Sequence, residues 1–504
     1  MSAEVRYHDC VSTYHVQNFG CRAAQADGAA IERQFEARGL VPAPADQAGL
    51  IILNTCTVTN AADQDARAAV RRLQRQNPLA KIVVTGCYAQ RAPEEVAALP
   101  GVNAVIGNSH KHQLAELVLG ENFAAGKGFL PISALTQNRE LCAENLIFVS
   151  DIFAHTELLA APVFESAGNI GGHASDRTRP NLKIQDGCDN RCSFCVIPSV
   201  RGQSRSLPAL QIIGEVNSLV AAGYREVVIS GINLGRWGRD LESSLPASGS
   251  CKSLFEDLIR RILRETRLEK LRISSVEPMD WSDELITLVA ASPRIAKHAH
   301  VPLQSGSDAV LRRMHRKYRP WHYREKIEKI WAAMPTAAIG ADVMTGFPGE
   351  TDAEFESTRR LIEELPFTYL HVFTYSARPG TPAAAMTNQV PVHVARERNQ
   401  ILRDLATSKK QTFMQSFIGK RLESITLSAM KKGSDEDFTE ALTDNYQKLF
   451  LKGRHEANRW IHADIAAVED GAFLGSVAVS TPCLELGVVP LKLADTFASA
   501  TTPV

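Results

Sequence analysis

The sequence lacks both an excess of charge of one sign and a long apolar run. Its 504 residues carry 56 Lys and Arg against 56 Asp and Glu, so no overall field attracts a polyanion and any nucleic-acid surface has to be local. It contains no uninterrupted apolar stretch of about 18 residues that could cross a bilayer. The first residues also lack the apolar segment of a secretory signal. These absences predict a cytoplasmic protein without a membrane partner.

Cysteine is sparse, with ten residues in the whole chain, and a reducing compartment disfavours disulfides. Six of the ten nevertheless fall into two groups. One group is a tight triplet in the loop GCDNRCSFCVIPSVRG (187–202), and the other is spread over residues 21–87. No functional role is assigned to the remaining four, which are Cys10, Cys142, Cys251 and Cys483.

The first part of the chain alternates apolar strands with amphipathic helices. Strands are predicted near residues 14–21, 50–53 and 81–87, with helical segments between them. This rhythm is typical of a parallel sheet with helices packed on it. We assign residues 12–125 to such an α/β domain.

Three cysteines occupy equivalent positions in this domain. Cys21, Cys56 and Cys87 each stand at the end of a predicted strand or directly after it. Open α/β sheets bind ligands at the carboxyl ends of their strands. These side chains are therefore expected to converge at one edge of the sheet and to form a ligand set.

Three further regions follow along the chain. Residues 126–176 contain Gly-, Ala- and Ser-rich pieces and are predicted to be a linker. Residues 177–410 contain six strand–helix units, which fit an open, partial (βα)6 barrel better than a complete eight-stranded one. Residues 415–485 consist of short alternating segments separated by turn residues, a pattern that predicts a small β-barrel.

The tight triplet has the spacing C-x3-C-x2-C, formed by Cys188, Cys192 and Cys195. A structural zinc site usually needs a fourth Cys or His ligand, and the nearest histidines, His173 and His298, are distant in sequence. A [4Fe–4S] cluster normally takes one thiolate per iron, so three cysteines leave one iron open. That iron can bind the amino and carboxylate groups of S-adenosylmethionine (SAM), whose reduction yields a 5′-deoxyadenosyl radical; the cofactor supplies this chemistry and the protein orients it. Zinc in a non-catalytic RNA-binding protein is the alternative.

Motifs along nearly the whole chain resemble those of the radical SAM methylthiotransferase family. They are NTCTVTN, TGCYAQ, RTRPNLKIQDGCDNRCSFCVIPSVRG, SSVEP, VPLQSGSD, DVMTGFPGET and TYSARPGTPA. The resemblance implies an N-terminal domain with an auxiliary [4Fe–4S] cluster on Cys21, Cys56 and Cys87. It also implies a radical SAM barrel whose catalytic [4Fe–4S] cluster is held by the tight triplet, and a C-terminal TRAM domain that binds RNA. A transferase of this family uses SAM and an electron donor of the flavodoxin or ferredoxin type, while its sulfur donor is left open.

The stretch NTCTVTN resembles the branch of the family that methylthiolates C2 of N6-threonylcarbamoyladenosine in tRNA. Other branches act on isopentenyladenosine in tRNA or on an aspartate of a ribosomal protein, and both remain alternatives. Local charge agrees with an RNA partner, because residues 312–329 contain eight Lys and Arg against two Glu, and residues 396–432 nine against three acids. Basic surfaces neutralise phosphates, although solvated helix faces have a similar composition.

Five further residues lie near predicted strand ends or within the triplet. They are Phe194, Glu277, Gln304, Ser305 and Asp342. We expect the four polar residues to contact SAM or the substrate, with ordinary loop hydrogen bonding as the alternative. The phenyl ring is expected to pack on the adenine or to cover the cluster. One departure from the family pattern stands beside Cys21, because position 24 is Ala where an Asn is expected.

Overall fold

The computed structural model describes residues 12–120, 146–155, 179–241, 254–432 and 437–478. The four cysteines without an assigned role lie outside these residues. Within the described ranges, no helix is long and apolar enough to cross a membrane.

The N-terminal domain is a six-stranded parallel sheet in the order β2-β1-β3-β4-β5-β6. Its strands are β1 (Thr13–Asn18), β2 (Val41–Pro42), β3 (Leu50–Thr55), β4 (Lys81–Gly86), β5 (Val102–Gly107) and β6 (Leu146–Phe148). Its helices are α1 (Arg22–Glu36), α2 (Asn60–Gln76), α3 (Cys87–Arg91), α4 (Pro93–Ala97) and α5 (Leu114–Leu119). Every residue of β3 is buried, as expected for a strand covered on both faces. Ile51 and Leu53 pack on the α2 side, whereas Leu50 and Ile52 pack on the α1 side.

The last strand of this sheet comes from the region predicted to be a linker. β6 pairs in parallel with β5, although 38 residues separate the two strands in sequence (108 to 145). Three residues are too few to show an alternating pattern, so no periodicity predicts this strand.

The middle domain is an open barrel of six parallel strands, which confirms the predicted partial (βα)6 architecture. The strands are β7 (Asn181–Lys183), β10 (Glu226–Ser230), β11 (Lys270–Ile273), β12 (His298–His300), β13 (Ala338–Thr345) and β14 (Tyr369–Thr374), and a short antiparallel pair follows β7, formed by β8 (Gln185–Asp186) and β9 (Arg205–Ser206). β7, β10 and β11 form one sheet and β12, β13 and β14 a second. Leu271 joins the two sheets, since its N–H donates to Arg294 O at 2.8 Å and its carbonyl accepts from Ala296 N at 2.9 Å.

The middle domain also contains helices. They are α6 (Ile197–Arg201), α7 (Ala209–Ala221), α8 (Leu254–Glu265), α9 (Asp283–Ala291), α10 (Asp308–Arg313), α11 (Pro320–Ala333), α12 (Asp352–Glu364) and α13 (Val392–Gln415). α12 begins with a capping box, in which Thr351 and Glu354 each accept a hydrogen bond from the other's backbone N–H.

The C-terminal domain is a closed five-stranded barrel in the order β15-β16-β17-β19-β18, as the sequence predicts. Its strands are β15 (Arg421–Lys432), β16 (Asp437–Thr443), β17 (Lys448–Lys452), β18 (Trp460–Glu469) and β19 (Ala472–Val477). The barrel core contains Leu449 and Phe473, and Met414 at the end of α13 packs into the same cluster. The long helix α13 therefore anchors the small barrel to the middle domain.

Candidate functional site at two cysteine triplets

The N-terminal triplet lies at the carboxyl edge of the first sheet. Cys21 precedes α1, Cys56 follows β3, and Cys87 is the first residue of α3 directly after β4. Because β1, β3 and β4 are neighbours in the sheet, the three cysteines come together. Burial raises the pKa of the Cys56 thiol to about 11, and the nearby Cys87 and Cys21 add to this rise, since charge on neighbouring sulfurs opposes ionisation.

A glycine permits the close approach of the first two cysteines. Gly20 adopts φ +102°, and a Cβ at this position would lie 2.6 Å from Cys56 Cβ and 3.0 Å from its Sγ. Any side chain at position 20 would therefore strain the backbone and displace Cys56.

The backbone at Ala24 is held by a neighbouring asparagine. Asn54 Nδ2 donates to Ala24 O at 2.6 Å and to Asn18 Oδ1 at 3.0 Å, and Asn54 Oδ1 accepts from Lys111 Nζ at 3.2 Å. Although position 24 is Ala and not the expected Asn, Asn54 of the NTCTVTN stretch still holds the backbone of the first turn of α1, just after Cys21.

The second triplet lies in the loop after β8, where each sulfur environment is partly buried. Asn190 N donates to Cys188 Sγ at 3.4 Å, and Arg316 Nη1 donates to Cys192 Sγ at 3.3 Å. Burial raises the pKa of the Cys195 thiol to about 12. Donors aimed at sulfur favour the thiolate that a metal ligand has to be.

The two triplets are adjacent in space. α6 begins two residues after Cys195, and Val196 and Val200 pack against Cys87 in a small buried cluster. Asn108 bridges the same elements, because its Nδ2 donates to Cys87 Sγ at 3.6 Å and to Val200 O at 2.7 Å. The N-terminal sheet therefore directly contacts the segment that follows the second cysteine triplet.

A buried charge network fastens this contact between domains. Its members are Asp27, Lys111, Lys183, Asp186 and Arg201, and all five are buried. Asp27 Oδ2 accepts from Lys111 Nζ at 3.1 Å and from Arg201 Nη2 at 3.0 Å, and Asp27 Oδ1 accepts from Lys183 Nζ. Arg201 also donates to both oxygens of Asp186 at 3.0 Å. The network joins α1, next to Cys21, to α6, next to Cys195.

A small cleft opens beside the second triplet. It is lined by Asn190, Cys192, Glu277, Asp280, Arg316 and Tyr318, among others. Arg316 forms an ion pair with Glu277, and Tyr318 donates to the carbonyl of Leu303 at 2.6 Å. The cleft thus presents a carboxylate and a guanidinium next to Cys192.

Three other predicted site residues have different surroundings. Phe194 packs edge-on against Phe347, with ring centroids 6.5 Å apart. Gln304 adopts φ +65°, and its buried Oε1 has no hydrogen-bond partner among the described residues, so it is available to a ligand. The Ser305 hydroxyl is buried and lies 3.1 Å from Thr358 Oγ1 of α12.

Polar side chains cover the inner face of β12, β13 and β14, and we term them the interior polar cluster. Its members are His298, His300, Asp342, Tyr369 and His371. The alternate residues Leu370 and Val372 join the apolar core towards the helices, so the cluster faces the barrel interior. The ring of His300 lies 5.5 Å from that of His371, and His300 Nε2 lies 3.5 Å from Asp342 Oδ1.

The C-terminal barrel and α1 close one side of the interior polar cluster. Tyr446, which has φ +68°, places its ring 4.8 Å from the ring of His298. Arg22 Nη2 donates to the Tyr446 hydroxyl at 2.9 Å. Because Arg22 directly follows Cys21, all three domains meet at this point.

Sequence reasoning identified only Asp342 of this cluster. The available signal was the alternation in HAH (298–300) and YLH (369–371), which places polar rings on one face of each strand. The contribution of Tyr446 had no such signal, because it comes from a different domain.

The two basic runs differ in how much of their charge is neutralised. In residues 312–329, seven of the eight Lys and Arg lie within ion-pair distance of a carboxylate; these are Arg312, Arg313, Arg316, Arg319, Arg324, Lys326 and Lys329. This run therefore has little free charge for phosphates. In the second run, Lys420 is exposed, and no carboxylate pairs with it in the part of the chain that is described.

Comparisons with known proteins agree with this geometry. Residues 13–107 match the model described as "Uncharacterized protein family UPF0004", and residues 182–362 match the Radical SAM superfamily. The chain is 36% identical over 447 residues to "Threonylcarbamoyladenosine tRNA methylthiotransferase MtaB" of Bacillus subtilis (strain 168), covering 88% of this chain and 92% of that relative. The chain belongs to the radical SAM methylthiotransferases.

Relatives of this methylthiotransferase are named for more than one substrate. It is 33% identical over 414 residues to "tRNA-2-methylthio-N(6)-dimethylallyladenosine synthase" of Novosphingobium aromaticivorans, which covers 82% of this chain and 86% of that relative. Among solved structures, the radical SAM methyltransferase TsrM from Kitasatospora setae superposes with a TM-score of 0.53 at 16% identity, covering 74% of each chain. That likeness shows the fold alone.

As a member of this family, the protein is a tRNA methylthiotransferase that uses SAM and two [4Fe–4S] clusters. The residues present fit two clusters, since the six described cysteines form two sets of three thiols. Both sets also receive N–H donors on sulfur, from Asn108 in the first and from Asn190 and Arg316 in the second.

Proposed function

We propose that this methylthiotransferase acts on N6-threonylcarbamoyladenosine in tRNA and replaces the hydrogen on C2 by a methylthio group. In this proposal the first triplet holds the auxiliary cluster and the second holds the radical-generating cluster. The residues are Cys21, Cys56 and Cys87 for the auxiliary cluster and Cys188, Cys192 and Cys195 for the radical-generating one. When bound, the clusters and SAM supply the radical, methyl and sulfur chemistry.

The polarity of the barrel interior is the observation that carries the choice of substrate. Identity alone does not decide it, because relatives at 36% and 33% identity are named for different bases. An isopentenyl group is apolar and would form no hydrogen bonds with His300 Nε2, Asp342 or His371. A site built for hydrogen bonds rejects an analogue that lacks the matching groups by large factors, so the interior polar cluster favours the threonylcarbamoyl substituent.

Residues around the second triplet have a positioning role in this proposal. The cleft beside Cys192 is assigned to SAM, with Glu277 and Arg316 as partners for its charged ends and hydroxyls. Gln304 Oε1 is a further acceptor, since it is buried without a partner among the described residues. Phe194 shields this side of the loop from water.

The partners of the enzyme follow from the reaction. We assign tRNA binding to the C-terminal barrel and the neighbouring end of α13, where Lys420 is exposed. The electron donor is proposed to be flavodoxin- or ferredoxin-like, and the place of action is the cytoplasm.

Anaerobic reconstitution followed by nucleoside analysis tests the proposal. The enzyme is incubated with SAM, sulfide and reductant together with an anticodon stem-loop carrying either threonylcarbamoyl- or isopentenyladenosine. Mass spectrometry is expected to detect the 2-methylthio product from the first RNA only. Product from the isopentenyl RNA alone would contradict the proposal.

Iron analysis tests the assignment of the ligands. Two cubane clusters correspond to about eight irons per chain, and replacing Cys21, Cys56 and Cys87 by Ala is expected to halve this number. An unchanged iron content would reject the first triplet as a ligand set.

A further inference from the structure

The interior polar cluster contains a buried group with an unused hydrogen-bonding position. His300 is 7% exposed, and its Nδ1 bonds to Ser275 Oγ at 2.7 Å. No hydrogen bond reaches His300 Nε2 from the described residues, although Asp342 Oδ1 lies 3.5 Å away. Buried polar groups normally have partners, so this nitrogen offers a position at which a bound molecule can form a hydrogen bond.

A cation with no paired carboxylate lies at the other end of the cluster. Arg22 donates to the Tyr446 hydroxyl, and within the described ranges no Asp or Glu lies within ion-pair distance of it. By contrast, Arg272 beside the same tyrosine ring pairs with the buried Glu226. Arg22 therefore contributes uncompensated positive charge to the barrel interior.

The remaining members supply both donors and acceptors. Asp342 is partly exposed, with 30% of its side chain accessible, and accepts hydrogen bonds. His371 of the adjoining strand stands opposite Asp342 in the strand register and is exposed to the interior. Partial burial lowers the pKa of His371, and His300 and Arg22 lower it further, while Asp342 acts in the opposite direction. With the pKa lowered, the neutral ring both donates and accepts near neutral pH.

We propose that Arg22, His300, Asp342 and His371 form the subsite for the side chain attached to N6 of the substrate base. This inference rests on the proposed function and names the groups that read the substrate. Asp342 accepts from the N–H and O–H groups of the ureido and hydroxyl functions, the two imidazoles donate to or accept from the same functions, and Arg22 binds the terminal carboxylate. Because Asp342 repels a carboxylate and Arg22 attracts it, the side chain has one favoured orientation.

Binding measurements on the reconstituted holoenzyme test the subsite. The probes are two fluorescein-labelled anticodon stem-loops that differ only at one base, which is threonylcarbamoyladenosine or unmodified adenosine. The variants are His371→Phe and Asp342→Asn, and the control is His322→Phe, an exposed histidine on the outer helix α11. The preference is the ratio of the two dissociation constants of one variant, and a misfolded fraction scales both constants by the same factor. A partly misfolded variant therefore still gives an interpretable preference.

The expected result is a loss confined to the modified RNA. Removing one partner of a buried or charged hydrogen bond weakens binding by roughly 10- to 100-fold, so each variant should lose most of the preference for the threonylcarbamoyl RNA. The control should retain the wild-type preference. His371→Gln, which keeps an amide donor and acceptor, should recover part of the loss.

Three outcomes would overturn the subsite. The first is unchanged affinity of both variants for the modified RNA, and the second is an equal loss for both RNAs, which indicates a structural role. The third is a divalent metal ion bound to the iron-free protein and absent from His371→Phe, because two histidines and a carboxylate with ligand atoms within 4.8 Å of one another also suit a metal.

Product formation distinguishes failure of the proposed function from failure of the subsite assignment. If the wild-type enzyme forms no methylthio product from the threonylcarbamoyl RNA and shows no preference for binding it, both proposals fail. If the product forms but the variants bind like the wild type, only the subsite assignment fails.

Discussion

Replacing Asp27 by Asn keeps the shape of the side chain and removes the charge at the centre of the buried network. Asp27 accepts from Lys111 at 3.1 Å, from Arg201 at 3.0 Å and from Lys183. The wild-type network has three cations and two carboxylates, whereas the variant leaves the three cations facing Asp186 alone. The amide also points an N–H donor at one of these cations.

The size of the effect follows from burial. Removing one partner from a buried ion pair leaves an uncompensated charge and costs about 3–5 kcal/mol, a large part of the roughly 5–15 kcal/mol that stabilises a typical domain. A matched control is Glu328→Gln on α11, whose exposed carboxylate lies 3.6 Å from Arg324 one helical turn away. Exposed pairs of this kind contribute about 0.3–0.5 kcal/mol.

Urea unfolding of the anaerobically reconstituted protein, followed by tryptophan fluorescence, measures both variants against the wild type. The pH dependence gives a second signature. Burial opposes ionisation of Asp27, but the charges of Lys111, Lys183 and Arg201 hold the pKa of its carboxyl well below the usual range. Because the pKa of Asp27 is lower in the folded than in the unfolded chain, its ionised carboxylate stabilises the fold above the unfolded pKa of about 4. This stabilisation is lost as the pH falls below that value, because the unfolded chain then binds more protons than the folded one. The difference between wild type and Asp27→Asn should therefore be full above about pH 5 and shrink as the pH falls below about 4.

A loss in Asp27→Asn no larger than in Glu328→Gln would refute this reasoning. A difference between wild type and variant that stays constant down to pH 2 would refute the electrostatic cause in particular.

Further substitutions test other parts of the structure. Gly340→Ala places a Cβ 2.0 Å from Cζ of Tyr369, so the ring has to move; thermal unfolding should show a loss of about 1–3 kcal/mol, and an unchanged melting temperature would mean that the ring does not lie over the glycine. Arg316→Gln removes a cation from Cys192 Sγ, which should shift the reduction potential of the second cluster negatively by tens of mV, at most about 100 mV, in an EPR-monitored titration; a positive shift would contradict the contact. Lys420→Ala should weaken tRNA binding and reduce the slope of log affinity against log salt by about 1, whereas an unchanged slope would place the RNA elsewhere.

Local patterns were sufficient for much of the fold. The alternation of strands and helices predicted the N-terminal sheet, the six-unit partial barrel and the small C-terminal barrel, because each depends on hydrophobic periodicity within short windows. β6 was missed, since three residues carry no periodicity and their pairing with β5 is non-local. The positive charge that residues 312–329 offer to phosphates was overestimated, because its neutralisation is also non-local. Arg313 pairs with Glu354 and Arg324 with Glu364, both outside this run.

The site also has features that local sequence predicts and features that depend on contacts between distant residues. The spacing of Cys188, Cys192 and Cys195 is written in one loop, so their chemistry could be read from eight residues. Nothing local indicated that Asp27 would meet Arg201, which lies 174 residues further along the chain.

By itself, the sequence determined the residue types and spacings that hold clusters, and the periodicities that build three domains. Only the tertiary structure decided that Arg22, His298 and Tyr446, one from each domain, meet at the barrel interior. The physical reason is that ligand spacing within a loop is fixed by covalent geometry. The juxtaposition of distant side chains depends instead on strand order and domain packing, which follow from burial summed over the whole core.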